Sequence, residues 1–308
     1  MVKKVIQDYF YLAHGEMSLE CLKGLVENNY APAFVCVHKN YEYEKLKSSF
    51  FEPVEKLCRD NNIFLHKVDK ISEIKFAVEN HSIGVCVGFM EIIKKEVFDL
   101  PKYGILNLHC GKLPLYRGRA PISRSLMNGE NYLTMTLHNI DEGVDSGDIA
   151  GEHEIEIDLN DDVNTLYKRC AEKSADFIID ILHKITDIHF VKQDLSAHRK
   201  ANKKVTDEER KINWENGIEK IFNLIRALTI PYPCAFSSYN GKNYKIIKSE
   251  IFSKETCNAR KNGEIYFVDE DYILINCKDG LLRIFELRDE KDNVVNFEEN
   301  FHQKEFFV

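Results

Sequence analysis

The run ILNLHCGKLPLYRGRAPISRSLMNGE, residues 105–130, followed by HNIDEGVDSGDI, residues 138–149, decides how the chain folds and where it acts. Residues 105–108 read as an apolar strand, and its C-terminal end carries two polar side chains, Asn107 and His109. These stand two apart, and side chains alternate along a strand, so both lie on one face. A turn with Gly and Pro follows, then a helix over residues 121–128, a strand over 133–138, and an acidic loop carrying Asp141, Glu142, Asp145 and Asp148. An amide, an imidazole and a carboxylate in one place can polarise a carbonyl, move a proton and orient the imidazole.

Upstream, apolar runs at residues 5–13, 33–37, 63–68 and 83–89 alternate with helical patterns at 19–28, 41–61 and 71–79, the second broken near Pro53. Ser18 is expected to cap the first helix. Strands apolar on both faces, alternating with helices, predict an α/β fold with a Rossmann-like, mostly parallel sheet covered by helices on both sides. The first turn, residues 13–18, has one glycine and fails the dinucleotide fingerprint, so a nicotinamide role is not expected.

Downstream, residues 149–157 read as a strand and 163–185 as a long helix that closes a catalytic domain over residues 1–188. Residues 189–212 are charged and poor in apolar side chains, the pattern of a linker. Residues 213–308 hold a helix and regularly spaced short strands, with an Asn240-Gly241 hairpin signal. This predicts a small, open, barrel-like β domain.

The chain has 308 residues, 44% of them hydrophobic, with 42 basic against 50 acidic residues and a net charge of −8. That balance argues against a nucleic-acid partner. The nine cysteines include no C-x-x-C pair, which suits a reducing, cytoplasmic setting rather than a disulfide framework or a metal site. Cys110, beside His109, is read as a small residue at a turn. No run reaches the length that spans a bilayer, and the N-terminus reads as a first strand rather than a signal peptide.

Three motifs carry a family resemblance: Asn107-x-His109, the turn Leu113-Pro114-x-Tyr116-Arg117-Gly118, and Asp141-x-Gly143-x-Asp145-x-Gly147-Asp148, with Asp145 36 residues after His109. Together they resemble the formyltransferases that use N10-formyltetrahydrofolate. The chain departs from the family's usual pattern at Gly111, where relatives often read Ser. The resemblance implies a formyltransferase with Asn107, His109 and Asp145 as catalytic residues and N10-formyltetrahydrofolate as co-substrate. It implies that the pterin is held by the backbone at Phe89, Met90, Glu91 and Ile92, with Asp141 and Gly143 completing the cofactor site. His138, near the acidic loop, is read as structural.

Arg117, Gly118, Arg119 and Pro121 are expected to bind the acceptor, because arginine forks suit phosphate oxygens. Arg124 is read as solvated. The Arg119-Ala120-Pro121 run is similar to that of the sugar-nucleotide members. No basic insertion is evident at residues 38–45, and the charge from Thr206 onward is −4. The expected acceptor is therefore a nucleotide-linked amino-deoxy sugar, a dTDP- or UDP-4-amino-4,6-dideoxyhexose destined for surface polysaccharide. Methionyl-tRNA formyltransferase is the alternative. The expected partners are the nucleotide-sugar and folate, with no nucleic acid and no membrane; a homodimer is left open.

Overall fold

The structure, a computed structural model, describes residues 8–39, 50–196, 200–255 and 260–308. Seven strands form one sheet in the order β3-β2-β1-β4-β5-β6-β7. They are β1 (Tyr9–Ala13), β2 (Phe34–His38), β3 (Phe64–Val68), β4 (Ile83–Val87), β5 (Ile105–His109), β6 (Tyr132–Asn139) and β7 (Ile149–Glu156). The first five run parallel, while β6 and β7 are antiparallel to their neighbours. All five residues of β1 are buried, as a central parallel strand covered on both faces requires.

The helices α1 (Gly15–Glu27), α2 (Glu52–Asp60), α3 (Lys75–Glu79), α4 (Lys95–Phe98), α5 (Pro121–Met127) and α6 (Val163–Lys184) connect or follow these strands. On one face of the sheet, Phe10 and Leu12 pack with Phe34, Cys36, Val78, Val97 and Ile105. On the other, the Tyr11 hydroxyl donates to the Ser18 carbonyl of α1, and Gly24 of α1 passes close to Ala175 of α6.

Two local expectations need correction, and one near Pro53 holds. Ser18 lies inside α1 and is fully buried, its hydroxyl donating back to Gly15 O; the helix starts a turn earlier and His14 is its N-cap residue. Near Pro53 the expected interruption is present: Phe50 and Phe51 lie in a π-helical turn, and α2 starts afresh at Glu52 with the proline in its first turn. Residues 71–79 begin as a 3₁₀ turn, Ile71–Ile74, before α3. The expected strand residues 5–7 and helical residues 41–49 lie outside the described residues.

The second sheet has five antiparallel strands in the order β10-β11-β12-β9-β8. These are β8 (Phe236–Tyr239), β9 (Lys242–Ser253), β10 (Ile265–Val268), β11 (Ile273–Cys277) and β12 (Gly280–Arg288). Asn240 and Gly241, at φ +49° and +76°, make the two-residue β8–β9 turn that their identity predicts. The C-terminal residues reach both open edges: Val308 pairs with Ser238 beside β8, and Glu305 and Phe307 accept from Ile265 and donate to Gly263 beside β10. A single helical turn, α7 (Asp207–Arg210), precedes helix α8 (Ile218–Ala227). Helix α8 buries Ile218, Ile221, Phe222 and Ile225, one apolar face at helical spacing. Trp214 is buried and donates its indole N–H to Ser237, a packing role.

By contact the chain divides into two compact units that interleave along the sequence. One comprises Met1–Pro121, Tyr132–Glu156 and Leu166–Asn202; the other comprises Ile122–Asn131, Ile157–Thr165 and Lys203–Val308. Residues 189–202, expected as linker, fall in the first unit.

Candidate active site

The strand order reverses between β1 and β4, the kind of switch beside which open α/β sheets bind ligands, and β5 ends one strand beyond it, paired to β4. β5 delivers Asn107, half-buried, and His109, buried. The acidic loop after β6 bends back to bring Asp145 between two imidazoles. Its Oδ2 is 3.6 Å from His109 Nδ1 and its Oδ1 is 3.6 Å from His138 Nε2. The loop achieves this with Asp145 itself at φ +48°, a left-handed conformation that aspartate tolerates better than most residues.

Each group is held by its neighbours. His109 Nε2 lies 2.8 Å from the Tyr116 carbonyl. A carbonyl only accepts, so Nε2 carries the hydrogen and the neutral ring keeps its lone pair on Nδ1, facing Asp145. The Gly118 N–H donates to Asp145 Oδ2 at 2.8 Å. Gly118 has φ +92°, and a Cβ there would stand 2.4 Å from Asn202 O, so only glycine fits. Asn202 in turn donates to Arg117 O and accepts from Arg119 N, while Gln193 donates to the carbonyls of Asp145 and Gly147. The segment read as a free linker thus packs on the site.

Burial pushes the His109 imidazole below its ordinary value, against an opposing pull from Asp145 and the Tyr116 hydrogen bond. For Asp145, burial alone would raise the carboxyl. The nearby His138 and His109 rings and the Gly118 N–H outweigh it and hold the group at about 2. At neutral pH the site therefore holds a carboxylate beside a His109 ring whose burial favours the neutral form.

The remaining expected residues fall into two groups. Arg117 is buried and donates from Nε to Val144 O, tying the turn to the acidic loop rather than offering its fork outward. Asp141 accepts from Gly143 N and Ser146 Oγ, which shapes the same loop. Glu91 accepts from Ile71 N and lies 3.5 Å from His38, whose ring stacks on Phe89. Arg119 is exposed, and Pro121 begins α5. Arg124 is not solvated as expected: it pairs with Glu209 and donates to Lys203 O.

The β4–α4 loop presents apolar side chains to solvent. Met90 and Ile92 are 64% and 80% exposed. Among the described residues their main-chain groups enter no main-chain hydrogen bond. Apolar surface beside free N–H and C=O groups is what a pterin recognised by backbone requires.

His138 was missed as a site residue. The signal lies in strand pairing, since it sits opposite Asn107 in the β5–β6 register. Among the described residues no cluster of His, Cys, Asp or Glu is placed to hold a metal, and no helix is long and apolar enough to cross a membrane. A cleft of about 630 Å³ within the second unit is lined by Phe222, Arg226, Ser249 and Phe285 and contains none of the residues above.

Residues 15–182 match the model of the formyl transferase family, and residues 204–305 match that of its C-terminal domain. The chain belongs to the formyl transferase family. This formyltransferase is 40% identical over 209 residues to a methionyl-tRNA formyltransferase of Caldicellulosiruptor saccharolyticus, covering 68% of this chain and 67% of the relative. It is 31% identical over 297 residues to the enzyme of that name from Carboxydothermus hydrogenoformans, covering 94% of each. An N-formyltransferase from Helicobacter canadensis, solved with folinic acid and dTDP-3-aminofucose, superposes with a TM-score of 0.68 at 23% identity over 93% of this chain and all of that one. At that identity the likeness shows the fold.

These relatives overturn the expected acceptor. The nucleotide-linked amino sugar, its place in surface polysaccharide and the exclusion of nucleic acid all give way to the methionyl-tRNA alternative. The arguments that had pointed to the sugar do not discriminate. Arg117 faces inward, most of the segment examined for a basic insertion lies outside the described residues, and net charge averages over a surface that recognises its partner locally.

Proposed function

We propose that the protein transfers the formyl group of N10-formyltetrahydrofolate to the amine of methionyl-tRNA in the cytoplasm. The observation that carries this reading is the 40% identity, over two thirds of the chain, to an enzyme named for that reaction. The eight described cysteines are free and buried, in keeping with a reducing compartment.

The folate supplies an activated one-carbon acyl group, held along the loop at Phe89, Met90, Glu91 and Ile92. Asn107 donates an amide N–H to the carbonyl oxygen as it gathers negative charge; such a donor contributes roughly 3–4 kcal/mol. The attacking amine must be neutral; as its C–N bond forms and the tetrahedral intermediate collapses, the formyl C–N10 bond breaks, tetrahydrofolate leaves, and the proton shed by the amine ends on N10. A carboxyl held at about 2 is a poor proton acceptor, so His109 Nδ1 takes the proton and the resulting cation faces Asp145. Arg117, Gly118, Asp141 and Gly143 keep the two loops in place around these groups. Arg119, exposed beside the turn, and Pro121 lie where the acceptor approaches.

The test is to incubate the purified protein with N10-formyltetrahydrofolate and charged or uncharged tRNA and to follow formyl-methionyl-tRNA. Formylation of the charged tRNA alone is expected, with an apparent affinity that weakens as salt rises because phosphate contacts release counterions. A protein that binds the folate yet leaves saturating methionyl-tRNA unformylated would sink the reading.

A further inference from the structure

His138 is 2% exposed, and both of its ring nitrogens have defined partners. Nδ1 is 2.8 Å from the carbonyl of Asn139, and Nε2 is 3.1 Å from Nδ2 of Asn107. The carbonyl can only accept, so Nδ1 carries the hydrogen. The amide nitrogen can only donate, so Nε2 must be bare. The two contacts together require a neutral ring in one tautomer. A charged ring would put a donor against a donor, and the Asn107 amide would have to turn over. The titratable groups facing the ring are Asp145, 3.6 Å from Nε2, and His109, with ring centroids 6.3 Å apart.

A buried histidine used only for packing has no need to engage the side chain that the chemistry uses. This one meets Asn107 because β6 pairs with β5 in the register that sets the two opposite. We propose that His138 is a positioning residue: through Nε2 it holds one amide hydrogen of Asn107 and leaves the second aimed at the developing oxyanion. The inference rests on the role given above to Asn107. It separates holding the donor from delivering it, and it makes the neutral state of His138 a condition for an ordered Asn107.

Nitrogen NMR of the resting protein is the first test and needs neither substrate. At neutral pH, His138 should show a protonated Nδ1, a bare Nε2 and a scalar coupling from Nε2 to the Asn107 amide nitrogen. A proton on Nε2, or no coupling, overturns the proposal. Turnover is the second test. His138→Leu keeps the bulk and loses the acceptor; kcat should fall roughly 10–100-fold, less than the loss for removing an oxyanion donor outright, with KM for the folate nearly unchanged. His138→Gln restores an acceptor oxygen and should recover most of that loss. In an Asn107→Ala background, His138→Leu should cost almost nothing more, because its only route is through the missing amide. An undiminished penalty in that background would show a merely structural role. If the unsubstituted protein formylates no methionyl-tRNA, the acceptor assignment fails, and the NMR result still decides the position of Asn107.

Discussion

Asp145 stands in a strained backbone conformation with one carboxylate oxygen toward each imidazole and a main-chain N–H on Oδ2. The role proposed for it is electrostatic, which gives two expectations for Asp145→Asn. The first is acid stability. The native carboxyl is depressed from 3.8 to about 2, so its contribution is present above the unfolded value and disappears as pH falls through about 2. Denaturation followed from pH 5 to pH 2 should show the unsubstituted protein losing about 2 kcal/mol more than the variant. The second is the rate profile. Burial sets His109 below its ordinary value while the Asp145 charge raises it, so removing that charge moves the acid limb of kcat/KM further down. The plateau should fall roughly 10²–10⁴-fold for lost acid–base help. An acid limb that moves up would show that the carboxylate does not act on His109. At this scale the sequence placed Asn107 and His109 at one strand end, because period-2 alternation is local, and the structure brings Asp145 beside His109. The sequence did not show that His138 meets Asn107, a contact between residues 31 apart that depends on how two strands choose their register.

The element that shapes the site is the turn between β5 and α5. A Cβ on Gly111 would lie 2.6 Å from Pro121 Cβ, 3.0 Å from Tyr116 Cβ and 3.1 Å from His109 Nε2. The glycine that departs from the family's usual serine is thus the residue against which this turn closes on His109. Gly111→Ala should cost about 1–3 kcal/mol in urea denaturation, the range for overpacking, and should lower turnover by displacing the Tyr116 carbonyl from His109. A fully stable and active variant would mean that the turn has slack the structure does not suggest. Strands and their parallel arrangement were legible because apolar runs report burial directly. Helix starts were less so: the signal at Ser18 is a side-chain preference, while the chain turns at His14 and Gly15 and buries the serine.

At the scale of the whole molecule, composition misled. Net charge and a missing insertion favoured the wrong acceptor, since neither describes the surface that meets a partner. The charged segment 189–202 misled in another way. Its polarity reads as linker, yet Gln193 is buried against the loop that holds Asp145, and Asn202 bridges the turn at Gly118. Gln193→Ala leaves the Asp145 and Gly147 carbonyls without this partner and should cost about 1–3 kcal/mol. Faster hydrogen exchange confined to the acidic loop is the expected signature; unchanged exchange there would remove Gln193 from the site's support. The same strap has a bearing on how the protein is made. Synthesis delivers Asp145 48 residues before Gln193, and Asn202 later still. The sheet can assemble from the strands already made, but two main-chain carbonyls of the acidic loop lack their Gln193 partner until the chain comes back over them. A ribosome-bound chain stalled short of Gln193 should therefore carry a folded sheet with a loosened acidic loop, its amides exchanging faster than in the finished protein.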